Sequence, residues 1–219
     1  MSDFWVQLWD HRQLFLTGLG NTVVLTIAAI VASTVLGFLV AVVRRTRIPV
    51  ITQILGIYLE VFRGTPLLVQ ILFVYFGAAY LKIPGLSEFN AILIALTLYQ
   101  AAYITELFRG GFESVSPGQL EAGRALGMSK PRVFVWVVLP QAMRVVIAPL
   151  FGQYIGLVKQ TALASVIGYA DLMRQAQGFI DRFGSPFIVF ALVAVVYFFL
   201  SYPLSVAARK LEEKAAFSR

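Results

Sequence analysis

The chain has 219 residues, 59% of them hydrophobic and only 13% charged, with a mean hydropathy of +0.80. A soluble domain carries about a quarter charged residues, so this composition excludes an ordinary soluble domain and indicates an integral membrane protein. The lack of cysteine and the single histidine, His11, exclude disulfide frameworks, thiolate chemistry and histidine-built metal centres, and the net charge of +7 is gathered in loops between apolar runs, which is an orientation signal and not a nucleic-acid footprint.

A helix crossing the hydrocarbon core needs about 20 mostly apolar residues. The N-terminal MSDFWVQLWDHRQLFL sets Trp5 and Trp9 four apart with Phe4 and Leu8 beside them, which predicts an interfacial helix over 1–18. Asp3 in place of a basic start, and an apolar run that begins only near residue 20, argue against a signal peptide. The first span, 20–43, has Asn21, Thr22 and Thr26 near its start, as entrance-lining or capping groups, and stops at Arg44-Arg45-Thr46-Arg47. The second, 54–81, contains Glu60, Arg63, Gly64 and Pro66 near its cytoplasmic end; proline breaks the helix there, and Glu60 with Arg63 reads as an i,i+3 pair, a gate element or a plain surface ion pair, of which the structural role is favoured.

The third span, 89–108, places Thr97, Gln100 and Ile104 at helical spacing beside Tyr99 and Tyr103, one polar-aromatic stripe. The fourth, 145–169, carries Lys159, Gln160 and Thr161 midway, after Gly152 and Gly156 at the spacing that suits close helix packing against a partner subunit. The fifth, 186–207, ends at Arg209-Lys210-Leu211-Glu212-Glu213-Lys214. Twelve Lys and Arg residues fall in the 44–47 turn, the 109–144 loop and the tail after 208; four fall in the opposite loops (Arg12, Lys82, Arg174 and Arg182). That asymmetry predicts an all-α membrane protein of five transmembrane helices, N-terminus outside and C-terminus cytoplasmic, in a single domain.

The cytoplasmic loop over 116–139 carries the most unusual pattern. Ser116-Pro117-Gly118-Gln119 reads as an N-cap, a proline at the first helical position and a capping-box glutamine. The helix that follows stops at Gly127 as a C′ residue, and a second helix starts at Ser129 and runs to Leu139-Pro140. At about ten residues the first helix is too short to span a membrane, and Ala122, Gly123 and Ala125 let another surface approach it closely. The stretch RALGMSKPRVFVWV mimics a helix-turn-helix, but a second helix reading Val133 to Val138 through Phe134 and Trp136 belongs in protein or lipid, not in a DNA groove.

Glu121-Ala122-Gly123, then Gly127, then nine residues to Val137, then Leu139-Pro140 resembles the cytoplasmic signature loop of binding-protein-dependent ABC importer permeases, E-A-A, three residues, G, nine residues, I, one residue, L-P. Gly123 replaces alanine and Val137 replaces isoleucine, and the first swap weakens the helix by about 1 kcal/mol. TGLGNTVVLTI (17–27), FRGTPLLVQI (62–71), YITELFRGGFESVSPGQLEAGRALGMS (103–129) and VKQTALASVIGYADL (158–172) narrow the resemblance to the polar amino acid uptake permeases, the histidine/glutamine/arginine type, across nearly the whole chain.

This resemblance implies a MetI-like type I ABC importer permease fold in a bacterial inner membrane. It also implies a second permease (as homodimer or heterodimer), two ABC ATPase subunits that use ATP and Mg, and an extracytoplasmic amino-acid-binding protein. The loop then carries a coupling helix in which Glu121, Ala122, Gly123, Arg124, Leu126 and Gly127 dock on the ATPase. No G-x-x-x-x-G-K-[ST] loop occurs in the chain, so the permease is expected to have no ATPase site, cofactor or metal of its own.

Asn21, Thr97, Gln100, Lys159, Gln160 and Thr161 are the candidate substrate-path residues, because polar groups within spans are costly; for Lys159 to Thr161, snorkelling and interhelical hydrogen bonding are the competing structural reading. With no acid in the middle of span four, a neutral amide or acidic amino acid fits better than a cationic one. A self-contained channel or ion-coupled carrier is the alternative, against which stand the five spans, the lack of a clear inverted repeat and the few intramembrane acids. A membrane enzyme is third, with no paired intramembrane carboxylates for acid–base work.

Overall fold

The structure is a computed structural model and describes residues 2–216. The described residues form helices joined by short turns: α1 (Ser2–Asp10), α2 (Arg12–Arg44), α3 (Pro49–Gly64), α4 (Leu67–Tyr80), α5 (Glu88–Glu113), α6 (Pro117–Ala125), α7 (Lys130–Val133), α8 (Leu139–Gln160), α9 (Leu172–Phe183) and α10 (Pro186–Ala216). Four helical stretches are long and apolar enough to cross a membrane, and a fifth span exists if α3 and α4, bent by 110° at their junction, are counted as one. The chain is a multi-pass membrane protein.

Several boundaries differ from the sequence expectation. The N-terminal helix breaks at His11, so residues 12–18 are the first turns of α2, which runs 33 residues or about 50 Å. Phe4 is buried against Phe179 of α9, while Trp5 and Trp9 stay exposed. The second span is two helices. Thr65 ahead of Pro66 is extended (φ −114°, ψ 148°), and Gln70 Nε2 bridges Phe62 O, Thr65 O and Thr65 Oγ1 at 3.0, 3.1 and 2.8 Å. The expected Glu60–Arg63 ion pair is absent among the described residues; the Arg63 guanidinium instead lies 5.8 Å from the Tyr103 ring centre.

The helix after Ser129 does not end at Pro140. It continues from Lys130 to Ile167 through one π-helical turn, Phe134–Val138, and finishes in a 3₁₀ segment, Thr161–Ile167. Proline at 140 has no N–H to give Trp136 and its ring would crowd that carbonyl; the wider turn makes room. Gln141 Nε2 returns a hydrogen bond to the neighbouring Val137 O at 2.8 Å.

Helices α2, α3, α4 and α8 pack on α5, while α10 packs on α8 and α9. One cluster joins Leu25 and Ala29 of α2, Leu67 and Ile71 of α4, Ile92 and Leu96 of α5 and Leu157 of α8. A second, at the α6 end of the bundle, joins Ala41, Ile104, Phe108, Phe112, Val133 and Val146. The tightest approach of α2 to α5 is at Gly37: a Cβ there would stand 2.7 Å from Ile104 Cγ2 and 3.0 Å from Ala101 O, so no larger residue fits without a shift. Thr105 Oγ1 donates to Gly37 O across the same crossing at 3.2 Å.

Candidate functional site

The short helix α6 is held on a rigid base. Pro117 is its first residue and Ser116 occupies the cap position, but the serine side chain makes no capping bond, so the expected capping box is not formed. Its other end closes as a Schellman motif: Gly127 sits at φ +80°, its N–H donates to Arg124 O at 2.9 Å, and Met128 N–H reaches back to Gly123 O at 3.1 Å. Gly123 faces inward. A Cβ there would stand 3.2 Å from Val133 Cγ2 and near Met128 and Val137, so this glycine seats α6 on the start of the Lys130–Ile167 helix.

With Gly123 inside, Glu121, Ala122, Arg124, Leu126 and Gly127 are all exposed. Leu126 is 83% exposed, a large apolar side chain standing clear at the end of a short helix. The helix therefore presents a carboxylate and a leucine knob on an anchored scaffold, an arrangement that suits insertion into a complementary cleft, whereas the Arg124 side chain lines a cavity between α6 and the ends of α2 and α5.

Beside α6, the sequence reading missed an ionic lattice. Arg44 of α2 holds Glu106 of α5 at 2.7 Å; Arg109 bridges Glu106 at 2.8 Å and Glu113 at 2.7 Å. The i,i+3 and i,i+4 spacing of Glu106, Arg109 and Glu113 was a legible signal; the arrival of Arg44 from α2 was not. The lattice ties the end of α2 to the end of α5, the helix that α6 follows.

Among the candidate path residues, Gln100 is 1% exposed and its Nε2 donates to Gln153 O at 3.1 Å and Gln153 Oε1 at 3.0 Å, joining α5 to α8. Gln153 was not singled out from the sequence. Thr97 Oγ1, Gln100 Oε1 and Gln160 Oε1 are buried without a partner. The expected stripe on α5 divides: Gln100 and Ile104 face inward, whereas Tyr99 and Tyr103 bond to each other at 3.3 Å and Tyr103 turns toward Arg63 O at 3.4 Å. Lys159 is exposed in the last turn of α8, with no carboxylate within 4 Å among the described residues. Thr161 is buried and donates to Val158 O at 2.7 Å.

Asn21 sits elsewhere. Its Nδ2 donates to Ala170 O at 2.8 Å and Tyr169 Oη returns to Asn21 O at 3.3 Å, so it pins the loop ahead of α9. That loop carries Asp171, wholly buried, which caps α9 by accepting Arg174 N–H at 2.8 Å while its other oxygen has no partner. Burial pushes this carboxyl up to about 6, against the pull of the backbone N–H groups. The helix α9 itself was not expected; its Asp171 cap and its Leu172, Ala176, Phe179 buried row could have been found from the sequence.

The comparisons with known proteins agree with this anatomy. The pattern of the family described as "Binding-protein-dependent transport system inner membrane component" matches residues 33–216. The probable glutamine ABC transporter permease protein GlnM of Bacillus subtilis is 36% identical, covering 94% of this chain and 95% of that one. The glutamine transport system permease protein GlnP of Escherichia coli is 32% identical, covering 96% of each. A crystal structure of an amino acid ABC transporter with histidines superposes with a TM-score of 0.87 at 33% identity, over 95% of this chain and 97% of that one. An inward-facing MetNI methionine ABC transporter shares the fold, with a TM-score of 0.79 at 19% identity over 94% of this chain and 98% of its own. With the match spanning most of the chain and the short helix at the signature position, this protein belongs to the family of binding-protein-dependent transport system inner membrane components.

Proposed function

We propose that the chain is the permease subunit of an ATP-driven importer of polar amino acids in a bacterial inner membrane, with its N-terminus outside and its C-terminus and α6 in the cytoplasm. It works with a second permease, two ATPase subunits that use ATP and Mg, and an extracytoplasmic amino-acid-binding protein. The observation that carries this reading is α6: a helix too short to span, seated by Gly123 and the Gly127 cap, with Leu126 and Glu121 presented outward. ATP-driven motion entering through α6 passes into α5 and the Lys130–Ile167 helix, between which it is held, and alternates access to the path between the spans.

A neutral amide is the favoured substrate class. Gln100 and Gln153 join their amides at the α5–α8 contact, and the Oε1 atoms of Gln100 and Gln160, buried and unpartnered here, accept from a solute amide or ammonium once the spans part. Several relatives are named for glutamine. Lys159 and Thr161 lie beside Gln160 at the turn into the 3₁₀ segment, and Thr97 lies one turn before Gln100.

The test is co-purification from the native membrane in mild detergent, followed by uptake in proteoliposomes. Glu121→Lys and Leu126→Asp are expected to lose the ATPase subunit and ATP-dependent uptake while leaving the permease folded in the membrane. Normal ATPase association and uptake in both variants would reject the docking role; a stable homo-oligomer without any ATPase would favour a self-contained channel or carrier.

A further inference from the structure

Between α6 and the ends of α2 and α5 lies a cavity of about 590 Å³ whose wall contains five arginines and a single glutamate, Glu113. Arg44 and Arg109 are already engaged by Glu106 and Glu113. Arg45, Arg47 and Arg124 have no carboxylate within 4 Å among the described residues, so the cavity keeps an uncompensated positive charge. Arg47 is fixed at φ +56° in the turn after α2, and Arg45 is laid 5.1 Å from the Phe134 ring centre. Burial, and after it repulsion from Arg47, lowers the proton affinity of Arg45.

The rest of the wall is apolar, from Ala41, Phe112, Val115, Pro117 and Leu120, except for Thr52, whose Oγ1 is buried without a partner. On the neighbouring outer surface, Leu39 and Val43 of α2 and Val50 and Ile54 of α3 are exposed. A ligand for this place has an anionic head and tolerates apolar surroundings. Guanidinium groups match phosphate oxygens by paired N–H donation, and basic pockets between span helices at the cytoplasmic side suit anionic headgroups.

We propose that this cavity binds a phosphate-bearing anion, supplied by an anionic phospholipid headgroup of the surrounding leaflet, held by Arg45, Arg47 and Arg124. Bound there, it bridges the α2 turn to α6 and fixes the angle at which α6 is presented. The binding chemistry does not depend on the transport reading; only the assignment to the inner leaflet does.

The experiment uses the full-length permease, with the subunits that co-purify, in nanodiscs of phosphatidylcholine alone or with phosphatidylglycerol. Native mass spectrometry reads the retained lipid, and thermal unfolding reads the effect of inorganic phosphate added to the phosphatidylcholine discs. Phosphatidylglycerol is expected to be enriched over its bulk fraction, with roughly five-fold loss of retention per arginine removed. Arg45→Gln/Arg47→Gln should lose it, Arg45→Lys/Arg47→Lys should keep most of it, and Arg12→Gln should not change it. Stabilisation by inorganic phosphate, lost in the Gln variant and without phosphatidylglycerol enrichment, keeps the phosphate site and rejects the lipid as its source. No selectivity in either arm overturns the proposal. Loss of the ATPase subunit from the Gln variant with phosphatidylglycerol retention unchanged also overturns it, because the arginines then serve an acidic protein surface.

Discussion

Replacing Asp171 by asparagine separates two things this residue does at once. As the cap of α9 it accepts Arg174 N–H at 2.8 Å, and asparagine caps nearly as well. As a buried carboxylate with one unpartnered oxygen it is a burden, its ionisation pushed up from 3.8 to about 6 by burial. Below pH about 4 the group is protonated in both folded and unfolded chains, and its full contribution to stability is present. As pH rises the unfolded chain ionises first and the native state resists, so stability falls until the native carboxyl itself ionises near 6. A displacement of about two pK units corresponds to about 3 kcal/mol lost across that window. The assay is thermal unfolding of wild type and Asp171→Asn in the same detergent from pH 4 to 8, read as the difference between the two curves. That subtraction removes the other carboxylates. The variant should gain on the wild type between pH 4 and 6, by several degrees in all at about 2–4 °C per kcal/mol, and by a constant amount above. A flat difference curve would show that Asp171 is hydrated or paired in the membrane-embedded protein and would refute the reasoning.

Gly37→Ala should destabilise by about 1–2 kcal/mol, because crowding at the α2–α5 crossing outweighs the helix-propensity gain; less-than-additive loss in Gly37→Ala/Ile104→Ala would confirm Ile104 as the contact. Gln70→Leu removes the amide that bridges Phe62 and Thr65, and about 1–3 kcal/mol of stability should go with it, measured by unfolding and by new protease sensitivity near 62–66. At Gly123 the gain in propensity from alanine, about 1 kcal/mol, meets a 3.2 Å approach to Val133, so Gly123→Ala should be near neutral whereas Gly123→Leu should unseat α6 and lower ATPase association.

Much of the arrangement was legible from single residues. Basic clusters at 44–47 and after 208 bracket the apolar helices, and Gly127 closes α6 in the left-handed conformation expected of it. Residues whose role depends on a partner far along the chain were not legible. Gly123 reads as an exposed small residue, yet Val133, Met128 and Val137 close over it; Arg44 reads as an orientation charge, yet Glu106, 62 positions on, holds it. The split of the α5 stripe has the same origin: period alone groups Tyr103 with Gln100, and only the position of Arg63 on α3 separates them.

Pro66 and Pro140 show why proline could be located but not interpreted from sequence. Both lack an N–H and both crowd the carbonyl four residues back. At Pro66 the preceding Thr65 goes extended, as a residue before proline prefers, and the chain turns by 110° because Gln70 is in reach to satisfy the carbonyls that the break exposes. At Pro140 the preceding Leu139 stays helical at φ −59° and ψ −47°, against that preference, and one π turn absorbs the conflict while Gln141 serves Val137 O. The helix thus continues without a break from the base of α6 into the span that carries Lys159, Gln160 and Thr161. A break at Pro140, of the kind seen at Pro66, would separate α6 from that span; the π turn keeps the helix continuous past Pro140, and it stays helical through Pro149 as well, so that on the proposed reading motion at α6 reaches the residues proposed to line the solute path along a single helix.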